Sequence, residues 1–241
     1  MGHRVDTVDV NDSSMEVFMY EPKGDGPHPG IVLCQHIPVG HTGVENDEFT
    51  LVAAQRYADA GFAVAVPFIF HWWPKSEEMQ LKRDEFRDDW TTLDLQTTFD
   101  HLAGQDNVDG KRIAIVGHCW GGRVSLLGAC HNPDYAACAV FYGGRADATM
   151  GTGTPPVTDL MGNINCPVFG FFGNEDVNPS PELVDKYAQA LTEGGVEHTF
   201  HRYDGAGHAF QNFPSPEKYR EEQSEDAWGK VIAHLKETLA A

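Results

Sequence analysis

No run of about 18 consecutive apolar residues occurs in the 241-residue chain, so no helix that spans a bilayer is expected. Cations are scarce too. There are 17 Lys and Arg against 36 Asp and Glu, a formal net charge of −19. A surface of that sign repels phosphate backbones and anionic lipid, so neither nucleic acid nor a membrane is an expected partner. The five cysteines, Cys34, Cys119, Cys130, Cys138 and Cys166, are odd in number, widely spaced and without a CxxC pair. That pattern speaks against a disulfide framework and against a zinc ribbon. The segment Met1–Asp6 lacks the apolar stretch of a signal peptide, and a cytoplasmic location is the expectation. Internal repeats and low-complexity tracts are missing. The Gly-, Thr- and Pro-rich stretch 143–166 lies inside an otherwise regular pattern, so one domain over 1–241 is expected.

What the chain does contain is an alternation of apolar runs and helical periodicity. Residues 30–34, 62–66, 112–116, 138–142 and 168–172 are short, almost wholly apolar runs of the kind a buried parallel strand needs. Residues 15–20 alternate weakly and read as a strand near the sheet edge, and a further strand is expected over 198–203. Helices are expected over 47–60, 77–103 with a break, 121–131, 181–193 and 217–239. Strands separated by helices imply an α/β fold: a mostly parallel sheet with helices on both faces.

The strongest chemical signal is Gly117-His118-Cys119-Trp120-Gly121-Gly122, directly after one expected strand and directly before a helix. This is the context of a nucleophile elbow, where small neighbours let strand and helix approach and the reactive atom projects at a helix N-terminus. A thiol nucleophile needs a base, and the base needs a group to orient it. Asp176 follows the strand 168–172, and His208, between Gly207 and Ala209, follows the strand 198–203. Nucleophile, acid, histidine is the chain order of α/β-hydrolases. Glu175 and Asp159 remain alternatives for the acid, and His198 and His201 for the base. An oxyanion hole would take the backbone N–H of Trp120 and one from the loop after strand 30–34, where Pro38 has none and Ile37 is the natural donor. His36, His41 and Glu45 lack the spacing of a metal motif, so no metal and no cofactor are expected.

Taken together, GHCWGG, FFGNEDVNPSP, DGAGHAF and CQHIPVG resemble the dienelactone hydrolase family of cysteine-nucleophile α/β-hydrolases, over residues 10–240. The resemblance implies an α/β-hydrolase fold, a Cys119–His208–Asp176 triad, an oxyanion hole from Ile37 and Trp120, no metal, and a small-molecule ester or lactone opened through a thioester acyl-enzyme. Two departures bear on the substrate. His36 stands where the family carries Glu, and so becomes a candidate for tuning the thiol. The family's carboxylate-binding arginines are replaced by the segment Phe68–Trp73 and by Asn212. A neutral, apolar or aromatic substrate is therefore expected, with Phe70, His71, Trp72 and Phe210 as pocket wall and Arg145 as the residue that could reverse the expectation. Because thiolate leaves more readily than alkoxide, activated esters and enol lactones suit the site better than alkyl esters. A thioesterase or a non-catalytic binding protein would be the alternatives, as monomer or homodimer.

Overall fold

The computed structural model describes residues 2–36 and 43–240. Eight strands form one sheet: β1 (His3–Val10), β2 (Ser13–Tyr20), β3 (His28–Cys34), β4 (Ala63–Pro67), β5 (Val108–His118), β6 (Ala137–Phe141), β7 (Val168–Gly173) and β8 (His198–Tyr203). Their spatial order is β1-β2-β4-β3-β5-β6-β7-β8. The first two pairings, β1 with β2 and β2 with β4, are antiparallel, and all the others are parallel. The expected buried runs are the interior strands. Every residue of β4, β6 and β7 is buried, because helices cover both faces there. The unforeseen element is β1. It is polar and largely exposed, as an outer strand can be, and it joins β2 through Asn11 and Asp12, both at positive φ (49° and 64°).

The helices are α1 (Glu48–Asp59), α2 (Met79–Asp84), α3 (Asp88–Ala103), α4 (Trp120–His131), α5 (Pro181–Glu193) and α6 (Glu221–Thr238). Asp47 caps α1 by accepting the N–H of Thr50, and Ser180 caps α5 with Pro181 at its first position. The expected break in 77–103 falls at Glu85–Arg87, and the stretch 143–166 contains a 3-10 helix, Val157–Asn163. Tyr57 of α1 packs on Trp228 of α6, with ring centroids 5.1 Å apart.

The topology makes a crevice. After β3 the chain passes to β4 on one side, and β5 then pairs with the other side of β3, so the loops leaving β3 and β5 diverge. The parallel register sets Cys34 opposite Gly117. Two residues further along each strand come His36 and Cys119, which are thereby neighbours. His118 pairs with Phe141, Phe141 with Phe171, and Gly173 with Tyr203, so the segments carrying Asp176 and His208 leave the same rim of the sheet.

Candidate active site

Cys119 sits on the turn between β5 and α4 with φ 56° and ψ −117°, a left-handed conformation that costs a non-glycine residue on the order of 1–3 kcal/mol. Its neighbours make the turn possible. A Cβ at Gly117 would run into the carbonyl of Gly121, and one at Gly121 into the carbonyl of Cys34. The Cys119 N–H is held by the carbonyl of Phe141 at 3.0 Å. Trp120 is the first residue of α4, so its N–H has no intrahelical acceptor and stands beside the sulfur.

His208 Nε2 lies 3.1 Å from Cys119 Sγ, and its Nδ1 lies 3.0 Å from Asp176 Oδ2. The Asp176 carboxylate is fully buried and accepts the N–H of Asn178 at 2.8 Å through its other oxygen, which fixes its orientation. Tyr142 meets the edge of the His208 ring at 5.4 Å and that of Phe210 at the same distance. Sulfur, imidazole and carboxylate thus form one continuous relay.

The electrostatics favour charge separation along it. Burial by itself would raise the Cys119 pKa, but the hydrogen bond with His208, then the nearness and charge of His36, outweigh it and hold the thiol at about 5. Burial would likewise lower the His208 pKa. Its bonds to Asp176 and Cys119 overcome that and raise it well above the ordinary histidine value. His36 is raised against its burial chiefly by Cys119. Its Nε2 is buried without a hydrogen-bond partner, while its backbone N–H donates to Thr50 Oγ1 at 3.2 Å. His118, wedged between Phe141 and Phe49, is pushed down to about 3 by burial and stays neutral. The other cysteines behave oppositely: burial pushes Cys130 and Cys166 up to about 12 and Cys34 and Cys138 upward as well, so Cys119 alone among the five has its thiolate favoured.

A cavity of about 250 Å³ opens above the sulfur. It is lined by His36, Cys119, Trp120, His208 and Asn212, and by three cations, Arg83, Arg145 and Lys218. None of those three makes an ion pair among the described residues, although most other arginines in this acidic chain do. The expectation of a neutral substrate rested on the two family positions without arginine, and the cavity adds Arg83 and Lys218 to the foreseen Arg145. Arg145 follows β6, whereas Arg83 comes from α2 and Lys218 from the loop before α6, positions that no strand-end rule singles out. Arg83 and Lys218 were missed because helical periodicity marks them only as solvated faces.

The expected aromatic wall is corrected. Phe70 is fully buried and packs behind the cavity against Phe86 and Trp120, at 5.7 and 6.5 Å between centroids. His71 and Trp72 do not line the cavity. The His71 ring spans Ser13 Oγ and Asp94 Oδ1, both at 2.8 Å, and the Trp72 indole donates to Asp94 Oδ2 at 3.1 Å. Their polar atoms are thereby committed: His71 ties the start of β2 to α3, and Trp72 fastens the segment after β4 to the same carboxylate. Phe210 is fully buried beneath Tyr142 and supports the relay without reaching the cavity. Of the alternatives, Asp159 lies in the 157–163 helix, Glu175 is exposed, His198 bonds the carbonyl of Val196 and His201 pairs with His234. Ile37 and His41 lie outside the described residues.

Known proteins resemble this chain over nearly its whole length. An Escherichia coli protein provisionally named carboxymethylenebutenolidase is 27% identical over 239 residues, covering 93% of this chain and 83% of that protein. A Synechocystis protein of the same name is 28% identical over 225 residues, covering 89% and 88%. Among solved structures, one from Klebsiella pneumoniae provisionally titled a dienelactone hydrolase superposes with a TM-score of 0.83 at 24% identity, covering 98% of this chain and 99% of its own. The fold is that of the α/β-hydrolases. With the dienelactone hydrolase profile matching residues 15–239, the chain belongs to the dienelactone hydrolase family and is a hydrolase.

Proposed function

We propose that this hydrolase opens an ester or lactone that carries an anionic group, using Cys119 as nucleophile, His208 as base and acid, and Asp176 to orient the imidazole. The observation that carries the proposal is the 3.1 Å approach of His208 to the sulfur on the floor of a cavity rimmed by three cations that make no ion pair among the described residues.

The chemistry follows from that arrangement. The thiolate adds to the substrate carbonyl, forming a C–S bond, and the oxygen that gains charge is received by the Trp120 N–H. As the tetrahedral species collapses, the C–O bond to the leaving oxygen breaks and His208 Nε2 delivers its proton there. Water then loses a proton to His208 and attacks the thioester, and the C–S bond breaks to return the thiolate. Asp176 holds His208 Nδ1 throughout and stabilises the charged ring. His36, which lines the same cavity, supports the thiolate. Arg83, Arg145 and Lys218 attract and seat the anionic group, with Arg suited to a carboxylate fork. The net charge of −19 repels an anion at long range, so recognition depends on these rim contacts.

The test is turnover of p-nitrophenyl acetate and of its anionic counterpart, mono-p-nitrophenyl glutarate, with intact-mass detection of the acyl-enzyme. The expected result is an acyl adduct on Cys119, a lower KM for the glutarate, and loss of adduct and turnover in Cys119→Ala. Turnover that survives Cys119→Ala would overturn the nucleophile assignment. Equal KM values for the two esters would overturn the anionic substrate.

A further inference from the structure

Arg123 stands one turn beyond Cys119 on α4, and its guanidinium is only 1% exposed. Its bonds are unusually complete. Nη1 and Nη2 donate to the two oxygens of Asp88 at 2.6 and 2.8 Å, Nη2 also to the carbonyl of Ala148 at 3.0 Å, and Nε to the carbonyl of Arg145 at 3.1 Å. Asp88 opens α3, and its own N–H donates to the carbonyl of Met150 at 3.0 Å. One buried ion pair therefore fastens together the helix that carries the nucleophile, the segment 145–150, and the start of the helix that follows Arg83.

Arg145 is held in a conformation it would not choose. Its φ is +57°, in the left-handed region that disfavours a side chain, and such residues persist only where their surroundings over-determine them. The surroundings are identifiable. The Arg123 guanidinium binds the Arg145 carbonyl, the N–H of Ala148 binds the same oxygen at 3.1 Å, and the next N–H, that of Ala146, is taken by the Tyr187 hydroxyl at 3.2 Å. Stability alone does not account for the pair, because well-packed apolar residues often replace a buried ion pair without loss.

We infer that the buried Arg123–Asp88 pair is a positioning device for substrate selectivity: it locks the backbone of Arg145 so that the Arg145 side chain stands at the cavity rim at a set distance from the sulfur. The inference rests on the reading of the rim cations as an anion site. Arg123 and Asp88 touch neither substrate nor sulfur. Their effect runs through Arg145, and it separates selectivity for charge from the bond-breaking steps.

Two variants test it. Arg123→Lys keeps a positive charge opposite Asp88 but cannot reach the carboxylate and two carbonyls together. The double variant Arg123→Met with Asp88→Leu removes both charges at similar volume and covers the case in which the first fails to fold. Both are compared with wild type on p-nitrophenyl acetate and mono-p-nitrophenyl glutarate. The expected result is a KM for the glutarate raised about 3- to 5-fold, with kcat for both esters and KM for the acetate within about 2-fold of wild type. A merely structural role would move both esters together, and that outcome, or no change for either, overturns the inference. Arg145→Gln, run in parallel, distinguishes the two levels. If it leaves the glutarate KM unchanged, Arg145 takes no part in recognition and the inference falls, whereas the anion reading itself falls only if wild type shows equal KM values for the two esters. If it raises that KM while the Arg123 variants do not, only the positioning role fails.

Discussion

Cys119 and His208 are 89 positions apart in the chain, and 3.1 Å separates the sulfur of one from Nε2 of the other. Each partner favours the charged form of the other, which lowers the thiol pKa and raises that of the imidazole. Since the thiolate is the nucleophile, a lowered pKa moves the onset of reactivity to lower pH. Inactivation by iodoacetamide is therefore expected to rise with a midpoint near the value of about 5 held by the site, where an unperturbed cysteine would show about 8.5. His208→Ala and His36→Ala each move the midpoint up, because both histidines lower the thiol pKa. A wild-type midpoint near the unperturbed value would contradict that influence.

The three rim cations predict a preference that needs no knowledge of the substrate. Iodoacetate and iodoacetamide deliver the same carbon to the sulfur and differ in charge. Iodoacetate should gain on iodoacetamide in wild type relative to a free thiol, and lose that gain several-fold in Arg83→Gln and in Lys218→Gln. Because the side chains are exposed, salt should erode the gain between about 0.01 M and about 1 M, as the screening length falls from about 30 to about 3 Å. A rate ratio indifferent to salt and to both substitutions would remove the cations from recognition.

Much of this architecture was legible because it rests on local constraints. Interior strands must be apolar on both faces, and the elbow must place glycine at 117 and 121, where any side chain would strike backbone. What was hidden is of another kind. The strand β1 is polar because it is an outermost strand, so apolar periodicity passes over it. The cluster 68–73 reads as a pocket wall by composition, yet the committed hydrogen bonds of His71 and Trp72 to Asp94 arise only when α3 folds against the strand ends. Arg83 and Lys218 reach the rim from α2 and from the loop before α6, and their convergence with Arg145 depends on how three separate segments pack.

Arg145 invites a trade between stability and recognition. Relief of its left-handed conformation by Arg145→Gly is worth roughly 1–2 kcal/mol, while the added freedom of glycine in the unfolded chain costs about 0.5–1 kcal/mol. Net stabilisation on the order of 0.5–1 kcal/mol is expected in urea unfolding, together with a higher KM for the anionic ester. Most substitutions destabilise, so a gain here would mark the residue as retained for its side chain. Destabilisation by a similar amount would instead show that the guanidinium stabilises the fold.

His71 should behave in the opposite way, as a stability residue without a part in recognition. Its ring joins Ser13 to Asp94, and the Asp94 carboxylate has no exposure to water. Burial raises the Asp94 pKa, and the bonds from His71 and then Trp72 oppose that rise. His71→Ala leaves the carboxylate with the Trp72 indole alone, and a buried polar group deprived of a hydrogen-bond partner typically costs about 1–3 kcal/mol. Urea unfolding should show a loss of that order, and because the freed carboxylate can take up a proton, the loss should shrink as pH falls. The iodoacetamide midpoint of Cys119 and the preference between the two alkylating agents should stay as in wild type. A change in that preference without a loss of stability would return the aromatic segment to the cavity wall.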